Sequence, residues 1–193
     1  TTSPAELAGT VAWLSQWRKP LLVTHERPDG DAIGALTAAW HIVAALGAQP
    51  TAYVTEALPD TYLPFAPPGL IVGGTLDPKS FDAIICLDCA RLERNAIPRD
   101  WQAAAIPLPM GNLDHHVDNP KYGQHAVVAP QCSATCELLA ELAQHLAKPL
   151  PQAAWDAMLM GIVFDTGGFR FSNTTATTLR LSAWVLEQGA DLA

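Results

Sequence analysis

The stretch LLVTHERPDGD, residues 21–31, decides the fold class, because an apolar run passes directly into a loop of histidine and aspartate. Residues 20–25 are short and apolar, as in a buried strand. Residues 31–46 place apolar side chains at helical spacing. Gly30 allows a tight turn between the two segments. A strand followed closely by a helix in this way predicts the first unit of an α/β sheet.

The rest of the chain repeats this alternation of strand-like and helix-like segments. Strands are predicted at 50–54, at 81–88, at 111–114 and, as an edge strand, at 125–129. Helices are predicted at about 4–17, 133–147, 151–164 and 174–188. The Pro- and Gly-rich segment 56–79 predicts a loop with a short helix. The expected fold is therefore α/β, a doubly wound, mostly parallel sheet with helices on both faces.

Acidic and histidine side chains follow four of the apolar runs. These clusters are His25 with Asp29 and Asp31, then Asp88, then Asp114-His115-His116, and finally Asp165. If each apolar run is a strand, the four clusters meet in the crevice at the carboxyl ends of the strands. Carboxylate oxygens mixed with imidazole nitrogens suit Mn²⁺ or a similar ion.

Each cluster taken alone also has an ordinary explanation. Asp29-Gly30 can be a plain turn and Asp31 a helix cap. Asp88 can bond to a helix N-terminus, Asp114-His115-His116 can form a solvated loop, and Asp165 can be a capping residue. Four such clusters in one chain favour a shared metal site.

Composition excludes several classes of protein. The 193 residues are 49% hydrophobic and 16% charged, which is typical of a globular domain. A net charge of −8 argues against a broad nucleic-acid surface. Apolar runs are shorter than the ~20 residues that cross a bilayer, and no signal peptide is recognisable. The expectation is a cytoplasmic protein that binds neither membranes nor long duplex nucleic acid.

The four cysteines leave two interpretations open. Cys86-x-x-Cys89 and Cys132-x-x-x-Cys136 have spacings that occur in zinc sites. The alternative is that all four are buried thiols in a reducing cytoplasm.

Taken together, His25-x-x-x-Asp29-x-Asp31, Asp88, Asp114-His115-His116 and Asp165 resemble the four ordered motifs of the DHH phosphoesterases. The resemblance covers about residues 15–193, and the tail GFRFSNTT, residues 168–175, looks most like the nano-RNase/pAp phosphatase branch. It implies two Mn²⁺ ions, with Mg²⁺ or Co²⁺ as alternatives. It also implies a single catalytic domain over residues 1–193, without the C-terminal substrate-binding domain usual in the family.

The resemblance further implies a role for each site residue. One ion would be bound by His25 and Asp29, the second by Asp31, His115 and Asp165, and Asp88 would bridge both. His116 would contact the scissile phosphate or assist the leaving group, with Asp114 supporting the histidines. Arg170 and Asn173 would contact the substrate.

The activity implied is manganese-dependent hydrolysis of short oligoribonucleotides or pAp. A phosphodiesterase acting on cyclic-di-AMP or linear dinucleotides and a class C inorganic pyrophosphatase are the alternative enzymes. A catalytically silent nucleotide- or metal-binding module is the alternative of another class. The expected partner is a small nucleotide or short oligonucleotide, and a homodimer is left open.

Overall fold

The computed structural model describes residues 1–98, 101 and 108–191, and within them six strands form one sheet. The strands are β1 (Pro20–Val23), β2 (Thr51–Val54), β3 (Ile71–Val72), β4 (Ala83–Leu87), β5 (Met110–Asp114) and β6 (His125–Val128). The order across the sheet is β3-β2-β1-β4-β5-β6, and all five pairings are parallel. The predicted α/β fold class with its parallel sheet is confirmed, and β6 lies at an edge as expected.

Five α-helices lie within the described residues. They are α1 (Pro4–Leu14), α2 (Gly30–Ala45), α3 (Thr135–Leu146), α4 (Gln152–Asp165) and α5 (Ala176–Glu187). Short 3₁₀ helices span Asp60–Phe65, Pro78–Ser80 and Leu92–Arg94. Among the described residues no helix combines the length and the apolar character needed to cross a bilayer.

Alternating strand residues build a core on each face of the sheet. Leu22 and Ile85 belong to the larger cluster, which contains the buried faces of all five α-helices. Leu21 and Ile84 point to the opposite face, where segments between the strands cover them, including the buried Trp101. Because both faces are covered, the central strands consist almost entirely of apolar residues.

The order of the strands fixes where a ligand site can form. From β1 the chain moves outward to β2 and β3, and it then returns to place β4 on the other side of β1. The carboxyl ends of β1 and β4 therefore flank the point where the winding direction reverses, and open α/β sheets bind ligands at this point.

Close helix packing brings distant loops to that point. A Cβ atom added to Gly34 of α2 would lie 2.5 Å from the Ala157 carbonyl oxygen of α4 and 2.8 Å from Cys136 Sγ of α3. The absence of a side chain at Gly34 thus lets α2 approach α3 and α4 closely.

Two local differences from the predicted elements have simple causes. β3 lies inside segment 56–79, which was predicted as a loop with a short helix; a strand of two residues gives no periodic signal. The short helix in that segment is present at Asp60–Phe65. β1 ends at Val23 rather than at residue 25, because His25 instead forms an isolated antiparallel bridge with Asn95.

Candidate metal centre

The two aspartates after β1 have different structural roles. Asp29 is the N-cap of α2, where its carboxylate accepts a hydrogen bond from the backbone N–H of Ala32 at 3.1 Å. Asp31 lies in the first turn of α2, but its carboxylate accepts from the backbone N–H groups of Thr135 at 2.6 Å and Cys136 at 2.9 Å. The possibility that Asp31 merely caps its own helix is therefore wrong. Its carboxylate instead accepts hydrogen bonds from backbone N–H groups at the N-terminus of α3.

Asp88 follows β4 directly and lies between two histidines. Its side chain is almost completely buried, and its backbone adopts a left-handed conformation with φ of 51°. One carboxylate oxygen is 3.7 Å from His25 Nε2, and the other is 3.7 Å from His115 Nε2. Thr135 Oγ1 donates a hydrogen bond to the same carboxylate at 2.9 Å. An aspartate in this sparsely populated conformation is typical of a functional site.

Asp165 reaches the site from a helix. It is the last residue of α4, so the interpretation of its apolar run as a strand is wrong, while the predicted helix at about 151–164 is confirmed. A run of a few apolar residues does not by itself distinguish a strand from a buried helix. Asp165 Oδ2 lies 3.2 Å from His115 Nε2, and Asp31 Oδ2 lies 4.0 Å from the same nitrogen.

Ligand-type side chains among the described residues form three groups, and the donor atoms within each group lie within 4.8 Å of one another. The groups are His25 with Asp29 and Asp88, Asp31 with His115 and Asp165, and Asp88 with His115 and His116. The first two together contain all six predicted metal ligands. Carboxylate oxygens and imidazole nitrogens fit Mn²⁺ or a similar divalent ion. All four cysteines are free and buried, and none belongs to these groups, which argues against the cysteine zinc site.

The crowded carboxylates change the protonation of the site. Burial and the neighbouring charges of Asp88 and Asp165 raise the pKa of Asp31 well above its ordinary value. Burial alone lowers the pKa of His115, but its hydrogen bond to Asp165 and the charge of Asp31 outweigh burial and raise that pKa to about 10. For Asp88, burial raises the pKa, whereas the hydrogen bond with His25 and the charge of His115 prevail and lower it. Crowding of the carboxylates thus favours the protonated forms of Asp31 and His115.

Asp114 and His116 form a hydrogen-bonded pair beside these groups. The fully buried Asp114 ends β5, and one of its carboxylate oxygens accepts from His116 Nδ1 at 2.8 Å and from the His115 backbone N–H at 2.9 Å. The other oxygen accepts from Asn119 Nδ2 at 2.6 Å. The hydrogen bond to Asp114 raises the pKa of His116, although burial opposes it. Asn119 was not predicted, because a single asparagine five residues after Asp114 carries no sequence signal.

A sequence comparison agrees with this geometry. The profile described as the DHH family, N-terminal domain, matches residues 19–162. The chain belongs to the DHH family. This confirms the resemblance that the four motifs indicate.

Two relatives of this DHH chain are named "Bifunctional oligoribonuclease and PAP phosphatase NrnA". The protein from Thermus thermophilus is 33% identical over 175 residues, which cover 89% of this chain and 51% of the relative. The one from Bacillus subtilis is 26% identical over 171 residues, which cover 86% of this chain and 52% of the relative. The chain thus spans about half the length of these relatives. Both activities in this name are hydrolyses of phosphoester bonds, the enzyme class predicted from the sequence.

Solved structures share the fold of the DHH chain. An exopolyphosphatase-related protein from Bacteroides fragilis superposes with a TM-score of 0.85 at 24% identity, covering 98% of this chain and 58% of that one. A putative family II inorganic pyrophosphatase from Methanococcus jannaschii gives a TM-score of 0.60 at 18% identity. The superposition covers 87% of this chain and 55% of that one. At these identities the likeness concerns the fold alone.

A small cavity of about 90 Å³ opens onto the metal-binding side chains of the DHH site. Five of the site residues described above line it, together with three further residues. The five are His25, Asp29, Asp88, His116 and Asp165, and the three are Cys89, Ala90 and Arg94. The segment that carries Arg94 is held next to β1, since the Glu26 backbone N–H donates to the Arg94 carbonyl oxygen at 2.8 Å. Arg94 was not predicted; the only available signal was a pair of arginines, Arg91 and Arg94, shortly after Asp88.

The two predicted substrate contacts lie on the turn after α4. Arg170 is exposed, and its Nε donates to the Gly167 carbonyl oxygen at 2.7 Å. Asn173 Nδ2 donates to the carbonyl oxygens of Ser133 and Asp165, both at 3.1 Å. Neither side chain lines the cavity, so their contact with substrate stays a prediction.

Proposed function

We propose that this DHH domain hydrolyses phosphoester bonds of small nucleotides, with short oligoribonucleotides or pAp as substrates and two Mn²⁺ ions as cofactors. The observation that carries the proposal is the division of six ligand-type side chains into two adjacent groups, with Asp88 between the histidines of both. The names of the two relatives support the substrate class. Mg²⁺ and Co²⁺ are the alternative ions.

His25 and Asp29 would hold one ion, Asp31, His115 and Asp165 would hold the second, and Asp88 would contact both. When bound, a pair of divalent ions supplies an activated water nucleophile at neutral pH and offsets the charge that develops on phosphoryl oxygens. The contribution of the chain is to fix these ligands before binding. The hydrogen bonds of Asp31 to the N-terminus of α3 and of Asp88 to Thr135 do this.

His116 is the proposed general acid for the leaving group. Its Nδ1 is held by Asp114, which leaves Nε2 for the substrate, and His116 lines the cavity. Its raised pKa means that the ring keeps a proton closer to neutral pH than an ordinary histidine does. A proton delivered to the departing oxygen avoids the cost of expelling a free alkoxide. Asp114 acts as a positioning residue, because it contacts His116 rather than the cavity.

Three polar side chains are proposed to hold the substrate. Arg94 lines the cavity and carries a permanent positive charge next to aspartates, so it suits a phosphate oxygen that the metal ligands themselves would repel. Arg170 and Asn173 lie on the turn that follows Asp165 and would contact a more distant part of the nucleotide. Four free, buried cysteines support a cytoplasmic setting, which we include in the proposal.

A panel of four substrates tests the proposal: a dinucleotide, pAp, cyclic-di-AMP and inorganic pyrophosphate, each with Mn²⁺. We expect hydrolysis of the dinucleotide or of pAp, and loss of that hydrolysis in Asp88→Asn. Turnover of pyrophosphate alone would identify a pyrophosphatase, and turnover of cyclic-di-AMP alone a cyclic-dinucleotide phosphodiesterase. Binding of ions without any turnover would support the silent module.

A further inference from the structure

An apolar groove runs beside the metal centre, between α4 and the 3₁₀ helix Asp60–Phe65. Its volume is about 280 Å³. Five apolar or aromatic side chains and two carboxylates line it: Tyr62, Phe65, Met160, Val163, Phe164, Asp156 and Asp191. The metal-ligand geometry makes no use of this groove.

Phe164 connects the groove to the metal centre. It directly precedes Asp165, and its ring packs on Gly30, where an added Cβ atom would lie within 2.6 Å of the ring. Gly30 itself stands between Asp29 and Asp31. One aromatic ring thus touches the loop that carries two proposed metal ligands and also lines the groove.

The rings of Phe164 and Tyr62 pack against each other and leave part of their surface exposed. Phe164 is 45% exposed, and Tyr62 meets it edge-on with ring centroids 6.4 Å apart and an interplanar angle of 78°. Covering exposed aromatic surface with an apolar ligand is favourable in water. The edge-to-face contact leaves ring faces available for a flat ligand.

Charge limits what the groove can accept. Asp156 lies two turns before Phe164 on α4, roughly 12 Å along the helix axis, and thus lines the part of the groove remote from Asp165. The carboxylate of Asp156 also accepts a hydrogen bond from the backbone N–H of Asp191 at 2.7 Å. Carboxylates there repel a phosphate but accept hydrogen bonds from neutral N–H donors. The groove therefore disfavours an anionic occupant, and its aromatic rings suit a flat one.

We propose that this groove binds a nucleobase of the substrate whose phosphate lies at the metal centre. The inference rests on the proposed function, because the ions that Asp165 and Asp29 would help to hold are what would anchor the phosphate of the nucleotide. Base stacking on aromatic side chains is the common mode by which proteins hold unpaired nucleotides. Phe164 and Tyr62 supply the aromatic surface, and the carboxylate of Asp156 keeps a further anionic group away from the remote end of the groove.

Kinetics on a matched pair of substrates test the inference. The pair is pAp and the same bisphosphate with hydrogen in place of the base, assayed by phosphate release with Mn²⁺. In Phe164→Leu and in Tyr62→Leu, we expect the KM for pAp to rise at least about fivefold. This is the lower end of the range of effects expected when one base loses its stacking partner. The KM for the base-free compound should not change. Phe81→Leu is the control, because Phe81 precedes β4 at its amino end, away from the metal centre, and does not line the groove.

A second measurement does not depend on turnover. A non-hydrolysable dinucleotide that carries 2-aminopurine should lose fluorescence on binding to the wild type, and this quenching should disappear in both groove variants. Equal kinetic changes for pAp and the base-free compound would overturn the inference, since the ring would then only support the metal loop. Unchanged KM values for both would overturn it too. If the wild type hydrolyses neither these compounds nor a dinucleotide, the proposed function fails, and the quenching alone decides whether the groove holds a base.

Discussion

The carboxylate of Asp31 accepts a hydrogen bond from the backbone N–H of Thr135 at 2.6 Å, across 104 residues of sequence. The same threonine donates through its hydroxyl to Asp88 at 2.9 Å. One residue at the start of α3 therefore fixes two buried carboxylates that belong to different proposed metal groups. The carboxylates are oriented before any ion arrives, which lowers the cost of ordering ligands on binding.

Removing the hydroxyl of Thr135 should weaken metal binding without unfolding the chain. In Thr135→Val, the Asp88 carboxylate loses a hydrogen bond worth about 1.5–3 kcal/mol, because the acceptor is charged. We expect a lower Mn²⁺ affinity by isothermal titration, with similar circular dichroism. Thr135→Ser keeps the hydroxyl and should bind Mn²⁺ like the wild type. Equal affinity in Val and Ser variants would show that the hydroxyl has no such role.

The place of Asp88 between the two histidines predicts unequal effects of two substitutions. Asp88→Asn should disturb both proposed ion sites, because the Asp88 side chain lies 3.7 Å from His25 and 3.7 Å from His115. His25→Ala should weaken mainly one. Titration of each variant with Mn²⁺ measures the number of ions bound. Loss of a single ion in both variants would contradict the bridging role of Asp88.

The Asp114–His116 pair predicts a defect in the chemical step rather than in metal binding. His116→Gln should keep two ions and lower kcat by roughly 10²–10⁴-fold, as expected for a lost acid–base group. Asp114→Asn should lower kcat as well, and it should lower the pKa seen in the pH–rate profile, because the hydrogen bond to Asp114 raises the pKa of His116. Loss of an ion in His116→Gln would instead identify His116 as a metal ligand. Its position in a group of ligand-type side chains with Asp88 and His115 would then be explained.

The metal-free chain should lose stability as the pH rises above neutrality. Folding raises the pKa of His115 from 6.5 to about 10, so its protonation stabilises the fold fully below the ordinary value, and this stabilisation is lost as the pH approaches 10. The raised pKa of Asp31 acts in the same direction. Tm measured in EDTA between pH 6.5 and 9.5 should fall, and His115→Gln should show a weaker fall. A flat profile in the wild type would contradict the assignment.

The two arginines near the site should act on substrate affinity. Arg94→Ala should keep both ions and raise KM by the equivalent of about 1.5–3 kcal/mol, the value of a charge-assisted hydrogen bond. Arg170→Ala tests the contact predicted from the sequence in the same assay. Arg94→Lys keeps the charge but loses the bidentate geometry and should have an intermediate effect. An unchanged KM in Arg94→Ala would exclude a contact between Arg94 and the phosphate.

Periodicity and spacing were sufficient for the fold class and for the four clusters of acidic and histidine residues, whereas the choice of six proposed ligands among them came from the family resemblance. Strands are buried on both faces of the sheet, so runs such as Leu21–Val23 and Ala83–Leu87 are visible in the sequence. Parallel strands deliver their carboxyl ends to one edge, so His25, Asp88 and Asp114 are brought together by topology alone. This local information needs no knowledge of how the helices pack.

Tertiary packing alone decided the remaining features of the site. Thr135, Arg94 and Asn119 have no motif, since their function depends on which distant side chain each one meets. Asp31 bonds to α3 rather than capping its own helix, because the contact between α2 and α3 is set by packing at Gly34. The groove at Phe164 likewise requires two segments about 100 residues apart to lie side by side. The sequence determines which groups are available at the ends of its elements, whereas three-dimensional packing determines which of them touch.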